Sequence, residues 1–190
     1  MKTLSALAAC AVALWVCSGS ALAQSEAAVI QSRSEIREAA LEGLSTLYEI
    51  QPAARFAIEH AAGYAVFSSF GIKLLFAGGS QGKGVVVNNR TQRQTFMKML
   101  GLQAGLGLGV QKTRLIFVFE TASALQNFVD QGWSFGASTQ LAATADKQGA
   151  MFSGAASVMP GVYVYQLTDT GLAALITASG TKFFKDDALN

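Results

Sequence analysis

The sequence is poor in the residues that carry most enzyme chemistry. Its 190 residues include two cysteines, one histidine and two prolines. Cys10 and Cys17 both fall in an N-terminal segment that reads as a removable leader, so the remaining chain has no thiol. Disulfides, thiolate nucleophiles, thiolate metal sites and iron–sulfur clusters are thereby excluded from it. A Ser–His–Asp triad could be built only around the lone His60, and no G-x-S-x-G motif accompanies it. A zinc or copper site would need a carboxylate cluster, yet the one local pair, Asp186-Asp187, stands at the tail. His60 reads as a partly exposed helix residue, and the chain as non-enzymatic, with no cofactor.

Glycine-rich stretches do not reverse that reading. Gly78-Gly79-Ser80-Gln81-Gly82-Lys83-Gly84 resembles a phosphate loop. Three residues rather than four precede its Gly-Lys, however, and Gly84 stands where Ser or Thr would hold magnesium. Gly105-x-Gly107-x-Gly109 is not the dinucleotide fingerprint either, and it lacks a strand–turn–helix setting. A turn between two strands explains the first stretch without a nucleotide.

Met1–Ala23 has Lys2 near its start, an apolar run from Leu4 to Cys17 and a small-residue end, Ser18-Gly19-Ser20-Ala21-Leu22-Ala23. This is the pattern of a secretory signal peptide. The run falls short of the about 20 apolar residues that a spanning helix needs. Residues 1–23 are therefore expected to be removed, leaving 24–190 as a single domain that is exported, periplasmic and peripherally membrane-associated. Leu7-Ala8-Ala9-Cys10 resembles a lipobox, but it leaves too few residues before Cys10 for a full apolar run.

From Ser32 to Ile50, apolar Ile36, Ala40, Leu44 and Leu47 recur at three- and four-residue steps, which predicts an amphipathic helix. Ser32 with Glu35 offers a capping box, with a start near Ser25 as the alternative. Pro52 ends this helix and opens a second, Ala53–Ala62, that stops at Gly63. Short apolar runs then predict strands at Tyr64–Phe70, Lys73–Ala77, Gly84–Asn88, Leu102–Gln111, Arg114–Phe119, Trp133–Ala143, Val162–Leu167 and Leu172–Ala178. Asn88-Asn89 and Thr168-Asp169-Thr170-Gly171 read as turns. Thr121 caps a third helix, Ala122–Asp130, that turns Leu125, Phe128 and Val129 inward and ends at Gly132. The expected fold is α+β: an N-terminal helical hairpin packed on a curved, mostly antiparallel, barrel-like sheet with one inserted helix. In Gly101–Val110, glycine alternates with leucine or valine. That predicts a strand with one nearly bare face, either bent tightly under the N-terminal helices or forming a smooth wall for an acyl chain.

Charge is scarce, at 14% of residues with a net +2, but it is unevenly placed. No Asp or Glu occurs between Glu59 and Glu120, while Lys73, Lys83, Arg90, Arg93, Lys98, Lys112 and Arg114 all fall there. These cations are read either as a basic face for an anionic partner or as ordinary solvated strand ends. Nucleic acid is disfavoured by the leader, by the low net charge and by the absence of a basic motif with interleaved aromatics. Anionic phospholipid fits better, since each Lys or Arg near a charged membrane adds about 1 kcal/mol. Apolar Phe96, Met97, Met99 and Leu100 flank Lys98, and Phe183-Phe184 lie between Lys182 and Lys185. Phe96 and Met97 are therefore expected to add apolar insertion to the basic face. The rival expectation is a structural or protein-interaction module that docks an unknown partner through Ile36, Leu44 and Leu47 of the first helix.

Several motifs recur in an order found in one family. Ala61-Ala62-Gly63-Tyr64-Ala65-Val66-Phe67 is followed by Gly78-Gly79-x-x-Gly82-x-Gly84-Val85-Val86-Val87 and by the glycine-alternating Gly101–Gly109. Then come Leu115–Glu120 with Ala124-Leu125-x-x-Phe128, Gly136-Ala137-Ser138, Tyr165-x-x-x-Asp169-x-Gly171-Leu172 and Ser179-Gly180-Thr181-Lys182. In this order and spacing, across about Ser34 to Asp187, the chain resembles the SYLF domain, which is related to the actin-binding domain of fungal endocytic proteins. The resemblance implies a non-enzymatic lipid-binding module. Eukaryotic members bind phosphoinositides and some bind actin, so for an exported bacterial member it implies anionic lipid in general.

Overall fold

The computed structural model describes residues 5–134, 140–142, 152–173, 175–177 and 180–190, with backbone alone for 5–25, 73–77, 103–108, 111, 140–142 and 175–177. Helix α1 runs unbroken over Ser5–Ile50 and α2 over Ala53–His60. No helix begins at Ser32, so the expected capping box is not used there. Pro52 serves as the N-cap of α2 rather than its first residue, and Gly63 opens a strand instead of closing the helix. Helix α3, Ala122–Gln131, is capped as predicted: Thr121 Oγ1 accepts from the Ala124 amide at 3.3 Å, and Gly132 follows at φ 65°.

The sheet is dominated by one hairpin, β1 (Gly63–Asn88) with β2 (Gln94–Phe119), each 26 residues long. The sequence suggested five short strands and a glycine turn in this span; the chain instead keeps pairing through Gly78–Gly84. Asn88 makes the connecting turn by accepting from the amides of Arg90 and Thr91, both at 3.0 Å. The hairpin doubles back on itself around an irregularity between Leu75 and Ala77. Such a bulge bends a strand and increases its twist. The fold-back needs bare backbone at the crossing. A Cβ on Gly84 would strike the Phe67 ring and lie 2.5 Å from the Val66 carbonyl oxygen, and one on Gly82 would lie 2.7 Å from that of Ser68.

Strand β2 is the spine of an antiparallel seven-stranded sheet. On its second edge, β9 (Thr181–Lys185) covers Met97–Gly101 and β6 (Val162–Thr168) covers Thr113–Phe119. Outside these lie β3 (Trp133–Ser134), β5 (Ala156–Met159) and β7 (Gly171–Leu172), and β4 (Gln140–Ala142) pairs β8 (Leu175–Thr177) separately. The fold is thus α+β with a curled, barrel-like antiparallel sheet. Strand β9 is not among the predicted strands, because Phe183-Phe184 between lysines reads as an interfacial pair.

Both faces of the sheet are covered, with the period-two alternation that pleating dictates. Val66, Val85, Val87, Phe96, Ile116, Val118 and Tyr165 face Ile36, Ala40, Leu44 and Leu47 of α1 and Ala54, Ala57 and Ile58 of α2. The opposite face gathers Phe67, Met97, Phe117, Phe119 and Phe183 around Leu125 and Phe128 of α3. Rings there meet edge to face, as Phe67 and Phe183 do at 4.8 Å between centroids. The α1 stripe read as a docking surface is therefore core: Ile36, Leu44 and Leu47 are all buried.

Candidate functional site

The face beneath α1 does not stay covered along the whole hairpin. Both arms of β2 emerge from under the helix in the same order, and each arm of β1 carries part of it. On β2, buried Phe96 is followed at two-residue steps by Lys98, Leu100 and Leu102; from the other end, buried Ile116 is followed by Arg114, Lys112 and Val110. On β1, Val66 leads through Ser68 to Phe70 and Ile72, and Val85 leads to Lys83. The fold-back brings these arms together, because Ser68–Phe70 lie beside Gln81–Lys83. The result is a buried aliphatic floor, then a belt of cations, then an exposed apolar rim at the bend. Leu102 is 75% exposed, Val110 62%, Leu100 51%, Ile72 46% and Phe70 41%.

Between the belt and α1 lies a cavity of about 610 Å³. Ser32, Glu35, Ile36 and Ala39 of α1 form one wall, and Leu167 contributes apolar floor. Lys83, Lys98, Lys112 and Arg114 line it against the carboxylates of Glu35 and Asp169. Two of the four cations carry an ion pair: Lys98 Nζ lies 2.8 Å from Asp186, and Arg114 lies 2.7 Å from Glu42. Lys83 and Lys112 are exposed and have no salt-bridge partner among the described residues. Lys83 stands directly opposite Lys98 in the ladder, a like-charge pairing that costs stability unless an anion lies between.

The seven cations of the acid-free span do not form one face. Lys83, Lys98, Lys112 and Arg114 converge, whereas Arg90 and Arg93 sit at the hairpin turn, roughly 20 Å farther along the strands. That turn is tied to α2, since Asn89 Nδ2 donates to the Ile58 and Ala61 carbonyls at 2.6 and 3.0 Å. Arg93 lies near Asp130, whose carboxyl is held below the usual carboxylate range chiefly by a hydrogen bond from Lys185 at 3.1 Å. The Lys73 side chain lies outside the described residues.

The two apolar site residues expected from sequence are corrected. Phe96 is 4% exposed beneath the guanidinium groups of Arg33 and Arg37, and Met97 is fully buried on the opposite face. Neither reaches a membrane, because β2 is covered on both sides at that point. Phe183 is core for the same reason. The exposed apolar residues lie a few positions on: Leu102 faces Gly79 across the ladder, and the exposed Ile72 and Val110 face each other. The sequence signal that touches Leu102 is the alternation of glycine with leucine or valine over Gly101–Val110; that the residue facing it is Gly79 follows only from the register.

His60 is exposed, stacks on Phe56 at 3.8 Å and makes a 2.9 Å hydrogen-bond contact from Nδ1 to the Phe56 carbonyl. No group of three potential metal ligands occurs among the described residues. No helix among them is long and apolar enough to cross a membrane.

Residues 100–190 match the Ysc84 family, described as Las17-binding protein actin regulator. The chain is also 33% identical over 159 residues to Beta cell expansion factor A of Aeromonas veronii, a match covering 84% of this chain and 59% of that protein. The chain thus spans less than two thirds of that relative's length. Neither description is that of an enzyme. The matched span holds most of β2, all of α3 and the strands that build its second edge, and through it the chain belongs to the Ysc84, or SYLF, family.

Proposed function

We propose that the protein is an exported, non-enzymatic module that associates peripherally with anionic phospholipid at the cell envelope. Its apolar rim would enter the acyl boundary while Lys83, Lys98, Lys112 and Arg114 lie among the phosphates. The observation that carries this reading is the order along both arms of β2: buried apolar (Phe96, Ile116), cation (Lys98, Arg114 and Lys112), exposed apolar (Leu100 and Leu102, Val110). That layering matches the layering of a bilayer interface, where amphipathic elements bury apolar side chains about 5–10 Å deep and keep cations at headgroup level. Membership in the family fits a lipid- or actin-associated module. Export is supported by the leader pattern of Met1–Ala23 and would bring the protein to phospholipid rather than to cytoskeletal partners.

Flotation with phosphatidylglycerol vesicles, compared with phosphatidylcholine vesicles, tests the association. Recovery with the anionic vesicles, weakened by salt, is expected. Equal recovery with both would remove the cation belt from the mechanism. Expression in a bacterium with the leader intact tests export: the periplasmic fraction should yield a chain that begins at Gln24.

A further inference from the structure

We infer that the cavity between α1 and the folded hairpin is a binding site for one long-chain fatty acid. This rests on the same cation belt as the reading above but concerns the space inside it. The cavity's volume, about 610 Å³, is of the size of small-ligand sites. Its chemistry is that of an amphiphile: Ile36 and Leu167 are buried apolar residues of its lining, and four cations line it as well.

The placement of charge selects the head group. Lys83 and Lys98 are opposed in the ladder, and Asp186 neutralises only Lys98. A carboxylate set between the two ammonium groups relieves that repulsion and gains charge-assisted hydrogen bonds. Lys112, unpaired among the described residues, can supply a further donor. The four cations are matched in number by Glu35 and Asp169 of the lining and by Asp186 and Glu42 of the two ion pairs, so the selection for an anion is local, at the unpaired Lys83 and Lys112, rather than a net charge of the cavity. The chain then runs along the floor, with Phe70 and Leu100 at the mouth.

The test is a titration of the full-length protein with cis-parinaric acid, a fluorescent fatty acid, followed by displacement with oleate. Emission should saturate at one equivalent and be reversed by oleate. Lys83→Glu should weaken binding by roughly tenfold or more. Ala39→Phe, which fills the cavity from α1, should abolish the saturable phase while vesicle flotation persists; Ser32→Phe, two turns earlier on the same helix face, is the second variant should the first fail to fold. Non-saturable binding, a stoichiometry of many per chain, or unchanged affinity in the folded cavity-filling variant overturns the proposal. Saturable parinarate binding without flotation would sink the membrane reading alone, and flotation without parinarate binding would sink this one alone.

Discussion

If the rim at the hairpin bend enters the acyl boundary, removing its most exposed aliphatic groups must weaken membrane partitioning without touching the fold. Leu102 and Val110 are the natural pair, being 75% and 62% exposed. Fully burying a leucine or valine is worth about 1.5–3 kcal/mol, so the exposed fractions correspond to roughly 1.5 kcal/mol for Leu102 and about 1 for Val110. Leu102→Ser with Val110→Ser should therefore lower the partition coefficient for phosphatidylglycerol vesicles by roughly seventyfold. Because neither side chain contributes to the core, the melting temperature should hold, as surface changes usually stay within about 0.5 kcal/mol. Lipid titration read by co-sedimentation, with melting of the same samples, makes the measurement. A serine pair that partitions like the parent would refute the idea that the bend inserts. Unchanged partitioning together with loss of binding in Lys83→Ser/Lys112→Ser would reduce the contact to charge alone.

Other outcomes follow from the same geometry. Gly84→Ala should cost about 1–3 kcal/mol, since its Cβ meets the Val66 carbonyl at 2.5 Å and backbone cannot easily give way; a thermal melt should fall by several degrees. Gly109→Ala, with nothing within 4 Å of its Cβ, is the matched control and should melt like the parent. Asp186→Asn should lower stability while raising affinity for anionic vesicles, because it removes the buried carboxylate that neutralises Lys98; a change of the same sign in both would contradict that role. Burial is the leading cause that raises all four tyrosines, with Tyr48 and Tyr165 pushed to about 12. Their folded values lie above the unfolded value of about 10, so the stability they contribute is intact below pH ~10 and is lost as pH rises toward 12. Phenolate absorbance should then appear together with loss of the circular dichroism signal; ionisation at pH ~10 in a still-folded protein would contradict it.

Local rules reached far into this fold. The stripe of Ile36, Ala40, Leu44 and Leu47 placed the buried face of α1, and Thr121 and Gly132 marked the ends of α3. Such signals are written within one or two turns of chain. The long hairpin was not legible in the same way. Gly78–Gly84 reads locally as a break, yet those glycines let one part of a continuous strand cross close to another, a demand made by residues some fifteen positions away.

The sequence by itself determined that the chain has no thiol after Cys17, that its middle third carries cations without acids, and that its elements form an α+β domain of this family. Only the tertiary structure decided which of those cations meet. Lys83 and Lys98 come from opposite sides of the hairpin turn, and Lys112 and Arg114 join them because the hairpin folds back. Arg90 and Arg93 stay at its end, and Phe96 and Met97 disappear into the core. Burial depends on what covers both faces of a strand, and charge convergence depends on where a sheet bends. Both are properties of the packed chain rather than of any short segment of it.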